Sequence, residues 1–204
     1  MPLVATAALA SACATSAYTY AGSSQLKMVF RVPAHWTGYS ARDISRGLQL
    51  GRDPGFVGEY PFLAGFDASP TPEVQDLLST QVVAYPAVLS WVRKVNFGTH
   101  DQMSLRSLRN AVYPIDRLED DGAGDTLNYS TFSLPGGYWG NRVSFVVRGT
   151  TPTSTTKALQ FSQIAATDVH LQYQYLLIVS CSPDCFARNR GQITDILNSW
   201  RLKG

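Results

Sequence analysis

Two cysteines four positions apart, Cys181 and Cys185 in the stretch VSCSPDCF, are the residues of this chain with the most evident capacity for chemistry. A structural disulfide, thiol redox exchange and metal ligation are the three chemistries open to them. Ser182, Pro183 and Asp184 between them have the types favoured at the N-cap and first turn of a helix. The chain therefore reverses there, and the two Cα atoms can come within disulfide range. A disulfide is the favoured reading in an oxidising compartment, and so short a loop would fix the local junction more than the whole fold. Redox exchange comes second: a thiol in a helix's first turn has a lowered pKa, but the spacing is not C-x-x-C. Zinc comes last, because no second ligand pair has suitable spacing.

The other reactive types are scattered. His35, His100 and His170 form no ligand pattern. His100, with Asp101 beside it and Ser104 nearby, is the one place for a hydrolase reading, but no G-x-S-x-G elbow accompanies it. The acidic run DRLEDDGAGD, with Asp116, Glu119, Asp120, Asp121 and Asp125, has the oxygen ligands calcium uses but not EF-hand spacing, so a solvated loop is expected. Asn128, Tyr129 and Ser130 match the N-x-S acceptor pattern by chance composition. No metal or cofactor is expected. Aromatic residues held among glycines and prolines are the candidates for an apolar ligand groove or partner surface: Phe56, Tyr60, Phe62, Phe66, Tyr138 and Trp139, with Tyr173 and Tyr175. Aromatics in a sheet protein more often form core.

The compartment is read from the other end of the chain. MPLVATAALASAC consists of small and apolar residues without charge, and it resembles the end of a bacterial lipoprotein signal, in which small residues precede a cysteine that takes the lipid. The resemblance implies lipidation of Cys13, which accounts for the odd cysteine. An ordinary secretory signal cleaved in the same neighbourhood also implies export. The expected location is extracytoplasmic, anchored to the cell membrane by lipid or secreted. Over 204 residues, 45% hydrophobic and 16% charged composition indicates a globular chain. A net charge of +2 gives no electrostatic footprint for nucleic acid, and no apolar run reaches the roughly 20 residues of a membrane-spanning helix.

The elements follow from periodicity. Residues 1–24 are expected to be signal and linker, and 25–204 one domain. LKMVFRVPAHW alternates as a half-buried strand ended by Pro33, with ISRGLQLG as a second short strand. Gly55 to Pro70 reads as strand and loop, and TPEVQDLLST as a short helix capped by Thr71. Gln81 to Val95 allows strand or helix, and Leu105 to Val112 a strand or a short helical piece. TLNYSTFSL, NRVSFVVRG, ALQFSQIAA and HLQYQYLLIVS form an antiparallel meander. Leu176 to Val179, apolar on both faces, requires a sheet covered on both sides. A final helix starts at Ser182 and carries Phe186, Ile193, Ile196, Leu197 and Trp200 on one stripe.

The segments GGYWGNRVSFVVRG and LQYQYLLIVSCSPDCFARNRGQITDILNSWRLKG, with the Ser199–Trp200 pair near the end, resemble actinobacterial lipoproteins of the PsbP-like family. QLKMVFRVPAHW is also similar to that family's opening strand. The resemblance implies an α+β fold, an antiparallel sheet packed between helices with the C-terminal helix covering it. It also implies a non-catalytic envelope role: binding a hydrophobic or envelope-derived ligand or a protein partner. A hydrolase using His100 and a thiol oxidoreductase using Cys181 and Cys185 are the competing enzyme readings.

Overall fold

The computed structural model describes residues 16–48, 59–78, 84–148 and 158–203. Its frame is a seven-stranded antiparallel sheet in the order β3-β4-β5-β9-β8-β7-β6, built from β3 (Thr37–Ser40), β4 (Phe62–Asp67), β5 (Ala87–Lys94), β6 (Gly124–Leu134), β7 (Tyr138–Val147), β8 (Leu159–Thr167) and β9 (Tyr173–Cys181). The expected meander is β6 to β9, and β5 joins it by pairing with β9, Ala87 opposite Ser180 through Lys94 opposite Tyr173. A second sheet of three strands, β1 (Tyr18–Ser23), β2 (Met28–Pro33) and β10 (Arg201–Leu202), has β2 at its centre.

The pleat of β9 divides the core into two. Tyr175, Leu177, Val179 and Cys181 join one cluster, with Met28, Phe30, Ile193, Ile196 and Trp200. Leu176 and Ile178 join the other, with Ile44, Leu63, Trp91, Leu108, Ile115 and Phe161. Successive side chains on opposite faces are both buried because both faces are covered. This is an α+β sandwich with an antiparallel sheet between covering layers.

The first covering layer is the small sheet and the C-terminal helices. The single helix expected from Ser182 is two, α5 (Pro183–Arg188) and α6 (Arg190–Ser199). Ser182 caps α5 as expected, its oxygen accepting from the Cys185 amide at 3.2 Å. The break lies at Asn189, whose side-chain amide donates to the Cys185 carbonyl at 2.9 Å and competes with regular helix there. Ser199 then ties α6 to β2, its hydroxyl oxygen accepting from the Arg31 amide at 2.9 Å.

The second layer contains α1 (Ala41–Gly47), the 3-10 turn Val74–Leu78, α2 (Phe97–His100), α3 (Leu105–Arg109) and α4 (Ile115–Asp120). Several expectations change here. The linker expected to extend through residue 24 contains β1, which pairs with β2 from Tyr18 opposite Pro33 to Ser23 opposite Met28. Its polar composition suits an edge strand held by backbone bonds with much of its surface in water. ISRGL is not a strand: Ser40 and Asp43 form a capping box that starts α1, and Ile44 and Leu48 lie one helical turn apart, while the rest of ISRGLQLG lies outside the described residues. The short helix expected after Thr71 is the 3-10 turn, and its lead-in is organised by the buried Asp67 carboxylate, which accepts from the amides of Ser69 (2.8 Å) and Glu73 (3.1 Å). The acidic run is not a loop throughout. Ile115 is fully buried, so Ile115–Asp120 folds as α4 against the sheet.

Asp76, beside Asp67 and Glu73, has its pKa raised, first by desolvation and then by the Asp67 charge. A raised folded pKa means that stability falls as pH rises from the ordinary carboxylate range through the raised value. Asp76→Asn keeps a hydrogen-bond donor toward Asp67 and removes that penalty. Its melting temperature is expected to exceed wild type at about pH 7 and to converge with it near pH 4. A variant less stable than wild type at neutral pH would contradict the assignment.

Candidate functional site

Over β4 and β5, on the face of α1 and α3, the covering layer leaves an apolar groove of about 360 Å3. Its floor is Leu63, Leu89 and Trp91, which alternate to this face of their strands. One wall is Ile44 and Leu48 of α1 with Leu78 of the 3-10 turn. This wall stands close to the sheet because Gly65 lacks a Cβ: one placed there would lie 2.3 Å from the Leu77 side chain. Tyr60 meets Trp91 edge to face, ring centres 5.7 Å apart.

The opposite wall is the connector Ala111, Val112 and Tyr113 between α3 and α4. Buried amides on the sheet hold it. Asn141 donates to the Leu105 carbonyl at 2.7 Å, and Gln163 donates to the carbonyls of Leu108 (2.9 Å) and Arg109 (3.2 Å). The two Gln163 bonds fall on the last carbonyls of α3, where the helix runs out of backbone donors. Asp116 ties the two helices together, accepting from Arg106 and Arg109, while its own amide donates to Asn110 at 3.0 Å. Burial works against the Asp116 carboxylate, but these donors outweigh it and lower its pKa. Tyr113 stacks on Phe161 with centroids 4.7 Å apart, and burial pushes its phenol up to about 12, so it stays a neutral donor at physiological pH.

Among the described residues one charged side chain lines the groove. Arg93 donates from Nη2 to the Gln174 Oε1 at 2.7 Å, and its guanidinium lies 5.5 Å from the Trp91 ring centre. Gln174 is 2% exposed, so a buried amide on the neighbouring strand holds the cation in place. A groove of this size with an apolar lining and few polar groups has the form of a small-molecule site.

The aromatic residues expected from sequence do not converge. Tyr60 lines the groove, and Trp139 packs against the same core cluster. Phe62 and Phe66 face the other side of β4, where Phe66 meets Phe30 edge to face at 6.0 Å. Tyr138 is buried on that side against Tyr175, with ring centres 5.7 Å apart, and Tyr173 packs there too. The pleat separates them, so as a single ligand-binding set they are a misreading. Phe56 and Cys13 lie outside the described residues.

Cys181 and Cys185 are joined by a disulfide with Cα atoms 5.9 Å apart, and both are fully buried. His100 lies 3.3 Å from Asp101 with both side chains at the surface, 50% and 85% exposed. Ser104 is occupied as the N-cap of α3, accepting from the Ser107 amide at 3.1 Å. Among the described residues no three His, Cys, Asp or Glu side chains gather as metal ligands. Asp116, Asp121 and Asp125 are each paired with arginine. Also among the described residues, no helix is long and apolar enough to cross a membrane.

No family model and no curated protein matches the chain. Among solved structures, it is similar to the cyanobacterial PsbP (CyanoP) of Synechocystis sp. PCC 6803, with 10% identity over 96% of this chain and 98% of that one, at a TM-score of 0.53. The Ran-binding protein Mog1p of Saccharomyces cerevisiae is similar at 9% identity over 91% of this chain and 95% of that one, with a TM-score of 0.46. The fold is PsbP-like, and identities this low speak to fold alone.

Proposed function

We propose that this chain is a non-catalytic, extracytoplasmic binding protein that holds an apolar small molecule in the groove over β4 and β5, tethered to the cell membrane by lipid on Cys13. The observation that carries the binding role is the groove itself, floored by Leu63, Leu89 and Trp91 and walled by two pinned segments. Export rests on the small-residue run before Cys13 and on the Cys181–Cys185 disulfide, which suits an oxidising compartment. The enzyme readings gain no support from geometry. His100 and Asp101 lie exposed at the surface, Ser104 is engaged as a helix cap, and the two sulfurs are bonded and buried.

The test is titration with the neutral dye N-phenyl-1-naphthylamine. Wild type is expected to bind it saturably. Ala111→Phe puts a ring into the groove from the connector and is expected to weaken binding at least about tenfold with the melting temperature retained. Equal binding by a folded Ala111→Phe variant would move the site elsewhere.

A further inference from the structure

Among the described residues, the groove has an apolar lining with a single fixed cation, and no aspartate or glutamate lines it. Among the described residues no carboxylate pairs with Arg93. Its partners are neutral: the Gln174 oxygen at 2.7 Å and the face of Trp91 at 5.5 Å. Arg93 differs from Arg106, Arg109, Arg117 and Arg148, which all pair with acids, and it lines the groove beside Trp91. A cation removed in part from water and left without an anion is unfavourable unless something else supplies the charge. The hydrogen bond to Gln174 uses one donor of the guanidinium fork and orients the rest.

Resting on the binding role proposed above, we propose that the groove takes a single-chain amphiphile whose anionic oxyanion head, a carboxylate or a phosphate, docks on Arg93 while its chain lies over Leu63, Leu89 and Trp91. The guanidinium is already held in place, so little side-chain freedom is lost when the head binds. Tyr113 lines the same groove, with its phenol protonated. A charge-assisted bond to a partly desolvated arginine is about twice as strong as a neutral one, so head charge should be read directly in affinity.

The probes are dodecanoate, dodecyl phosphate and the uncharged dodecanol, all below micelle formation, titrated against wild type, Arg93→Gln and Arg93→Lys. Wild type is expected to bind at least one anionic probe about tenfold or more tighter than dodecanol. Arg93→Gln should bring that ratio to within about twofold, the loss falling on the anions more than on dodecanol, and Arg93→Lys should fall between. Preference for dodecanoate over dodecyl phosphate assigns a fatty-acid head, and the reverse a phosphorylated one. If all three probes bind wild type equally, or the preference survives Arg93→Gln, the head-group inference is overturned and the groove stands. If neither dodecanol nor the anions bind, the groove reading is overturned with it.

Discussion

Phe161→Ala is expected to cost about 4 kcal/mol of folding stability and to weaken ligand binding in the same variant. The ring is fully buried at the middle of the sheet, between Phe145 at 5.6 Å and Tyr113 at 4.7 Å. Close-packed neighbours relax only partly into such a space, so the cavity adds to the lost burial. Phe145 is itself fully buried in β7 and cannot swing far, so Tyr113 is the partner that moves. Tyr113 belongs to the groove wall, which links the stability loss to the site. Phe132→Ala is the matched control. Phe132 is half-buried on the opposite face against Trp200, centroids 6.4 Å apart. It should lose less, about 1–2 kcal/mol, and leave dye binding unchanged. Denaturant midpoints and dye titration read both effects. A Phe161→Ala variant with wild-type dye affinity would separate the wall from the core.

Removing the disulfide has the second largest expected effect. The bridge spans a sequence separation of four, and closing so short a loop is worth about 2 kcal/mol in the chain-entropy account. Cys181→Ala/Cys185→Ala should therefore melt roughly 4–8 °C below wild type while keeping the fold. The same bridge joins the end of β9 to α5, so the loss should show first as faster amide exchange in α5. Both sulfurs are bonded and fully buried, so neither Cys181 nor Cys185 should take maleimide in the native protein, and a mild reductant should open the bridge only as the protein unfolds. Rapid reduction of the native state with the fold intact would instead favour the redox reading of this pair.

What sequence revealed was governed by how much local pattern each element carried. In β7, Val143 and Phe145 alternate with Arg142 and Ser144, and turn residues bound the strand at Pro135 to Gly137. Leu176 to Val179 announced a sheet covered twice, and the two core clusters meet there. Ser182 and Pro183 announced α5. In the sequence ISRGLQLG, Ile44, Leu48 and Leu50 imitate strand alternation, and only the Ser40–Asp43 capping box distinguishes the helix that begins at Ala41. In α4 the charges hid one buried residue, Ile115, and the arginines that neutralise Asp116 come from α3. β1 has no apolar stripe because its order comes from the ladder to β2.

The groove was less legible than the fold. Its described residues come from α1, β4, β5, the 3-10 turn and the α3–α4 connector and their flanks, and among the described aromatic residues singled out only Tyr60 lines it. The link between Arg93 and Gln174 joins residues 81 apart and exists only once β5 pairs with β9. A signal was present in AVLSWVRK, where a strand buried from Ala87 to Val92 reaches an arginine before leaving the core. Asn141 and Gln163, buried in central strands, were the other unusual residues, and they are the ones that pin the wall.

The central claim, that the groove over Trp91 receives an apolar chain, is tested most directly by quenching of tryptophan emission with a bromine-terminated decanol. Trp91 lies in the groove floor, Trp139 packs against the same core cluster without lining the groove, and Trp36 and Trp200 are buried in the cluster on the other face. Wild type is expected to lose the Trp91 share of its emission in a saturable titration, and Ala111→Phe, with the groove filled, to show no saturable loss. Emission that does not change in wild type, or quenching of equal extent in both proteins, would contradict the account.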